Sequence, residues 1–177
     1  MAGAQSLDKQ LQEIRLILSD VDGVLTNGGI YFDNQGIESK KFHIRDGLGI
    51  RMWQKAGHQF GIITGRSSHI VQVRASELGI DIIRQGFEKK TGAVMDIIEP
   101  LGLELSQVCF IGDDLIDLGP IEKVGFGVAV ADAVAEVREA ADLTTQAVGG
   151  EGAVREVIER ILKAQHRWDD LIRTYSS

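Results

Sequence analysis

Carboxylates at two places in the chain are spaced for work on a phosphate ester. Asp20-Val-Asp-Gly-Val-Leu-Thr26 carries Asp20 and Asp22 at the end of an apolar run, and Gly112-Asp-Asp-Leu-Ile-Asp117 adds Asp113, Asp114 and Asp117. Between them lie Thr64-Gly65-Arg66, a hydroxyl and a guanidinium, and Lys90, an ammonium just after the turn residues Gln85-Gly86. Carboxylates gathered at one mouth repel one another, and a hard divalent cation such as Mg²⁺, which takes oxygen ligands and pairs with phosphate, relieves that repulsion. Together the groups suit phosphoryl transfer. One carboxylate attacks phosphorus to give an acyl phosphate, a second protonates the departing oxygen, and the metal and lysine offset charge on the phosphoryl oxygens.

These residues can meet only if the fold brings them to one edge. Apolar runs at Arg15–Asp20, Phe60–Thr64, Asp81–Arg84, Val108–Gly112 and Gly127–Val130 read as buried strands. Helical periodicity fills the gaps at Gly47–Ala56, Ser67–Leu78, Lys90–Leu101, Leu115–Val124 and Ala133–Ala140. The alternation predicts an α/β fold, a parallel sheet with helices on both faces and ligands beyond the carboxyl ends of its strands. Two segments stand outside the alternation. Ile30–Phe42, turning at Asp33-Asn-Gln-Gly36, reads as a β-hairpin flap over about residues 28–42, beside the site. After Gly149-Gly-Glu-Gly152 a helix runs from Ala153 to about Gln165, with Trp168 and Leu171 as an extension, so a C-terminal helix and tail occupy about 152–177.

With 177 residues, 44% of them hydrophobic, the chain reads as a single domain, 1–177, able to bury its own core without disulfide or structural metal. The one cysteine, Cys109, sits in a strand pattern and cannot form an internal disulfide, which makes the cytoplasm the expected compartment. The N-terminus lacks a signal-peptide pattern, and no apolar run approaches the ~20 residues of a membrane span. A formal charge of -7 opposes nucleic-acid binding and leaves a small anionic substrate as the expected partner, provided that basic residues gather at one site.

The motifs Asp20-Val-Asp-Gly-Val-Leu-Thr, Ile62-Ile-Thr-Gly-Arg, Lys90 and Gly112-Asp-Asp-Leu-Ile-Asp, in that order, resemble the four motifs of the haloacid dehalogenase superfamily of phosphatases. The resemblance implies a Rossmann-like core with Asp20 as nucleophile, Asp22 as general acid and base, and Thr64 and Lys90 as phosphate ligands. It implies Mg²⁺ held by Asp20, the Asp22 backbone carbonyl and Asp113, with Asp114 and Asp117 behind the metal. The gaps between the motifs hold only the flap, two helices and a strand. The chain therefore looks like a member with no cap domain, whose open site implies a homo-oligomer.

From about Leu16 to Ala164 the chain is most similar to the 3-deoxy-D-manno-octulosonate 8-phosphate phosphatase family. The similarity rests also on Lys41-Phe-His-Ile-Arg-Asp-Gly-Leu-Gly-Ile50, Glu122-Lys-Val-Gly125 and Gly149-Gly-Glu-Gly-Ala-Val-Arg-Glu156. It implies a homotetramer with packed flaps and C-terminal segments closing a neighbour's site, action on a sugar acid phosphate in lipopolysaccharide precursor synthesis, and Arg45, Asp46, Gly47, Gly65 and Arg66 at the substrate. Glu151 departs from the arginine usual there. Gly-Gly-Glu-Gly is similar to phosphatases of the nine-carbon acids ketodeoxynonulosonate and N-acetylneuraminate 9-phosphate, which stand as the alternative substrates.

Plainer readings stand beside these. Asp114 could cap a helix, Asp117 could be a solvated helix residue, and Arg45 and Arg66 could be surface ion-pair partners. Lys89 neighbours Lys90, but the spacing from Gln85-Gly86 favours Lys90. His43, His58, His69 and His166 share no ligand spacing, which argues against zinc, and no GxxxxGK[ST] phosphate loop occurs. A receiver-like signalling module also joins acidic residues, Thr and Lys on an α/β sheet. Its phosphorylated aspartate lies on a later strand, whereas this chain offers a nucleophile on the first.

Overall fold

The structure, a computed structural model, describes residues 2–176. The limits of the expected 1–177 domain, Met1 and Ser177, lie outside the described residues. In chain order the elements are α1 (Ala2–Glu13), β1 (Leu16–Ser19), β2 (Tyr31–Phe32), β3 (Glu38–Ser39), α2 (Ile44–Lys55), β4 (Gln59–Thr64), α3 (His69–Leu78), β5 (Ile82–Gln85) and α4 (Lys90–Leu101). There follow β6 (Val108–Gly112), α5 (Leu118–Lys123), β7 (Phe126–Ala129), α6 (Ala135–Ala140), β8 (Leu143–Thr144), α7 (Ala153–Ala164) and α8 (Trp168–Arg173).

The strands rich in Ile, Val, Leu and Phe form one parallel sheet in the order β5-β4-β1-β6-β7-β8, with β1, β6 and β7 buried throughout. From β1 the sheet grows through β4 and β5 on one side and through β6, β7 and β8 on the other. Right-handed crossovers in opposite directions place the helices on opposite faces, in the packed groups α1–α7–α2–α3 and α4–α5–α6. The reversal of direction opens a crevice at the carboxyl ends of β1 and β6, the usual place for a ligand in such a sheet. Between the faces lies the apolar core, in which Trp53, Phe110 and Phe126 are fully buried. The Trp53 indole N–H is satisfied by the Gln59 carbonyl at 2.7 Å.

The expected hairpin is present as the antiparallel pair β2 and β3. Asp33 Oδ1 accepts the backbone N–H groups of Gln35 and Ile37, each at 2.8 Å, and Gly36 takes φ +78° to close the turn. No cap domain accompanies it among the described residues.

Several boundaries differ from the sequence expectation. Helix α2 begins at Ile44 rather than Gly47, and α3 at His69 rather than Ser67 because Ser68 stays extended with its N–H on the Gln85 side chain at 2.6 Å. The expected helix at Leu115 opens as a 3-10 turn, Leu115–Asp117, because Asp117 Oδ2 accepts the N–H groups of Asp113 and Asp114. Helix α1 and the two-residue edge strand β8 are elements the patterning did not announce. The C-terminal segment breaks into α7 and α8 at His166, which adopts φ +57°.

Candidate active site

Strand β1 is flanked on both sides by parallel neighbours and leads directly into Asp20, whose N–H is held by the Ile111 carbonyl of β6 at 3.0 Å, so the sheet itself fixes this residue. Asp20 is 4% exposed, and its Oδ1 accepts the Val21 N–H at 2.7 Å. Its Oδ2 faces Lys90 Nζ at 2.9 Å, while Lys90 also meets Asp117 Oδ1 at 2.6 Å. Lys90, the first residue of α4, is buried to the same depth as the core and settles the choice against exposed Lys89. Asp117 is fully buried: one oxygen holds Lys90, and the other gathers the Asp113 and Asp114 amides at 3.0 and 3.3 Å. It is therefore a buried brace rather than a solvated helix residue. Asp114 is exposed and caps the 3-10 turn through the Leu115 N–H at 2.7 Å.

Oxygens of Asp20, Asp113 and Asp117 lie within 4.8 Å of one another. Burial, partly offset by the Lys90 charge, pushes the Asp20 carboxyl up to about 6. Burial together with Asp20 and Asp117 pushes Asp113 up to about 8. Asp113 Oδ1 is buried with no hydrogen-bond partner. An orphaned carboxylate oxygen facing other carboxylates fits a hard divalent cation, whose charge would satisfy the oxygen and reverse both shifts. Gly23 makes room for this meeting. At φ +94° it takes a backbone shape that suits glycine, and a Cβ there would lie 2.0 Å from Asp113 Oδ2.

Thr64 ends β4, 2% exposed, with Arg66 N–H directed at its hydroxyl at 3.4 Å. Gly65 follows beside Ile116. At the mouth, Asp22 pairs with Lys40 through Oδ1, and Arg66 Nη1 stands 4.0 Å from its Oδ2. Glu38 binds Arg66 Nη2 at 2.7 Å and lies 3.5 Å from Lys40 Nζ. Burial would raise the Glu38 carboxyl, but Lys40 and Arg66 outweigh it and hold it below its ordinary value. Sequence reasoning missed Lys40 and Glu38. The available signal was their alternation, since residues two apart along an extended strand share a face.

The other expected substrate contacts are not all at this mouth. Asp46 is 2% exposed, and its Oδ1 accepts the Arg155 N–H at 2.8 Å in the first turn of α7. Gly47 is buried beside the Arg74 guanidinium. Arg45 is exposed and lines a separate surface cleft with Glu151 and Arg155. Glu151 is engaged by Lys41 at 2.6 Å, with His43 at 4.0 Å.

Asp20 at the end of the first strand, the lysine that α4 sets against it and the second acidic loop that meets it form one cluster, and the comparisons with known proteins bear on what carries such a cluster. The profile of the haloacid dehalogenase-like hydrolase family matches residues 69–158. The chain is 45% identical to the 3-deoxy-D-manno-octulosonate 8-phosphate phosphatase KdsC of Escherichia coli K12 over 159 residues, covering 90% of this chain and 85% of that protein. This chain belongs to the KdsC family of haloacid dehalogenase-like phosphatases.

Solved structures agree with the membership. The 3-deoxy-D-manno-octulosonate 8-phosphate phosphatase of Moraxella catarrhalis, in complex with magnesium, phosphate and KDO, superposes with TM-score 0.95 at 43% identity, covering 97% of this chain and 98% of that one. The cobalt-bound Haemophilus influenzae enzyme gives TM-score 0.90 at 38% identity, covering 95% and 99%. The KdsC family assignment sets aside the receiver-like alternative. No described helix is long and apolar enough to cross a membrane.

Proposed function

We propose that this protein is a Mg²⁺-dependent phosphatase that hydrolyses 3-deoxy-D-manno-octulosonate 8-phosphate to the free sugar acid and phosphate, in lipopolysaccharide precursor biosynthesis. The observation that carries the reading is the meeting of Asp20, Lys90 and Asp113 at the carboxyl edge of β1 and β6. Asp20, Asp113 and the Asp22 carbonyl would hold the cation, which when bound draws charge from the phosphoryl oxygens.

Asp20 attacks phosphorus as the ester P–O bond breaks, and the electron pair passes to the leaving oxygen, which takes a proton from Asp22. Asp22 then removes a proton from water as that water attacks the phosphoaspartate, and phosphate departs with Asp20 restored. Lys90 and Thr64 hold phosphoryl oxygens, while Asp117 keeps Lys90 in place. Asp114 stands behind the metal loop as its cap. Arg66 is the residue at the mouth suited to the carboxylate of the sugar acid, with Gly65 leaving backbone room beside it; Arg45, Asp46 and Gly47 stand away from this mouth, Asp46 holding the start of α7 instead.

The substrate reading is tested by Mg²⁺-dependent phosphate release from the octulosonate ester beside ketodeoxynonulosonate and N-acetylneuraminate 9-phosphates. We expect the highest kcat/KM for the eight-carbon ester. Preference for a nine-carbon ester would transfer the same chemistry to that substrate and make Glu151 the residue to examine.

We further propose a cytoplasmic homotetramer. The hairpin leaves Ile30, Phe32 and Ile37 about 60% exposed, and Ile44 just after it 77% exposed, an apolar surface suited to a second copy. Sedimentation should show a species about four times the 19.3 kDa chain; a fully active monomer would reject the assembly.

A further inference from the structure

The general acid of the proposed reaction has a difficulty that the nucleophile lacks. Asp20 is fixed by the sheet, whereas Asp22 lies beyond β1 with its side chain 22% exposed. A short carboxylate in a loop can rotate, and proton transfer to a leaving oxygen falls steeply with small misplacement. Something outside the loop must hold it.

Two cations approach Asp22, and they are not equivalent. Arg66 reaches only to 4.0 Å with a side chain 41% exposed, so water screens that contact. Lys40 has a side chain only 1% exposed and forms a direct hydrogen bond to Asp22 Oδ1. Its ammonium is flanked on the other side by Glu38 Oε1 at 3.5 Å. Glu38 is itself tied to Arg66 at 2.7 Å and to the Ser68 hydroxyl at 3.3 Å, so the second hairpin strand is moored to the loop and helix that follow β4. An ammonium withdrawn from water and set between two carboxylates restricts both far more than an exposed one does.

We infer that Lys40 is a positioning residue for proton delivery: it pins Asp22 through Oδ1, leaving Oδ2 as the oxygen that gives its proton to the leaving group. The hairpin thus supplies a working part of the site as well as a wall. This inference rests on the reading of Asp22 as general acid. Lys40 touches no reacting atom in this scheme and acts through Asp22.

The test is the dependence on leaving group. An alkyl sugar-acid phosphate needs a proton on its departing oxygen, whereas p-nitrophenyl phosphate expels a stable phenolate without one. Lys40→Gln should lower kcat/KM for the octulosonate ester by about 30- to 100-fold, chiefly in kcat, and that for p-nitrophenyl phosphate by less than about 3-fold. Lys40→Arg should recover most of the loss, since it restores a cation at the same place. Glu38→Gln, which removes the second anchor of Lys40, should show the same ester preference at smaller size.

Equal losses on the two esters would overturn the inference and place Lys40 on the phosphoryl group or in the fold. No loss on either would make the contact passive. Should Lys40→Gln not fold, the Lys40→Arg and Glu38→Gln ratios decide the matter alone. Failure of the unaltered protein to cleave either ester would instead overturn the phosphatase reading itself.

Discussion

Asp20 and Asp113 have carboxyls raised above their ordinary 3.8, to about 6 and about 8. A carboxylate raised on folding favours the folded state while protonated, and that contribution is lost as pH rises through the folded value. The metal-free protein should therefore lose stability between about pH 4 and pH 8 from these two groups. Mg²⁺ binds the charged forms. Its addition should raise Tm at every pH in that range and by more at pH 8 than at pH 5.5, as thermal melts with and without 10 mM-scale Mg²⁺ would show. An equal or smaller gain at pH 8 would mean that the cation does not bind these carboxylates. Asp20, Thr64, Lys90 and Asp113 were legible in the sequence because each ends a strand or opens the element after it, where a packed core has no use for a charge. Lys40 was not, because its ion pair exists only once the hairpin has folded back over the first acidic motif. Asp46 illustrates the opposite failure: its place in a motif says nothing about the direction of its side chain.

At the scale of elements, that direction has a structural explanation. Gly152, the residue before α7, has no side chain with which to cap the helix, and Asp46 reaches across from α2 to accept the Arg155 N–H instead. Burial raises the Asp46 carboxyl, which the α7 amides partly offset. Asp46→Ala should cost about 1–2 kcal/mol, the usual worth of a lost cap, measured by urea unfolding. An unchanged midpoint would show that α7 needs no help at its start. The cap also bears on the site. The loop entering α7 packs its backbone on the first acidic motif, with Gly150 N–H on the Val24 carbonyl at 2.9 Å and no room for a Cβ at Gly149, which would fall 1.7 Å from the Gly23 oxygen. Five of the sheet's strands, their parallel sense and the hairpin were readable from apolar runs and turn residues; the order of the strands was not. Helix α1 was overlooked although Leu7, Leu11 and Ile14 recur at helical spacing and Leu11 packs into the core, and β8 was not readable, since its two residues derive their strand geometry from pairing with β7.

For the whole molecule, the C-terminal tail has an anchorage on its own subunit. The turn at His166 sends α8 back along its own subunit, where Trp168 is buried under Arg155 and Lys163, and Lys55 reaches the Thr174 hydroxyl at 2.9 Å. Removing residues after Lys163 should therefore lower Tm by several degrees through lost burial, with KM for the sugar acid phosphate changed by less than about 3-fold. A large KM effect at unchanged Tm would favour a tail that closes a neighbouring subunit's site. The order of the sheet carries one more consequence. Strand β1 emerges first from the ribosome, yet its two flanking strands, β4 and β6, are made much later, the second ending at Gly112. Until then at least one edge of a largely apolar strand stands bare, an invitation to pair with other chains. The half-made protein is thus most prone to aggregate through the strand that leads into Asp20, and arrest of translation before Gly112 should yield a product that needs chaperones and lacks the Asp20, Asp113 and Asp117 cluster.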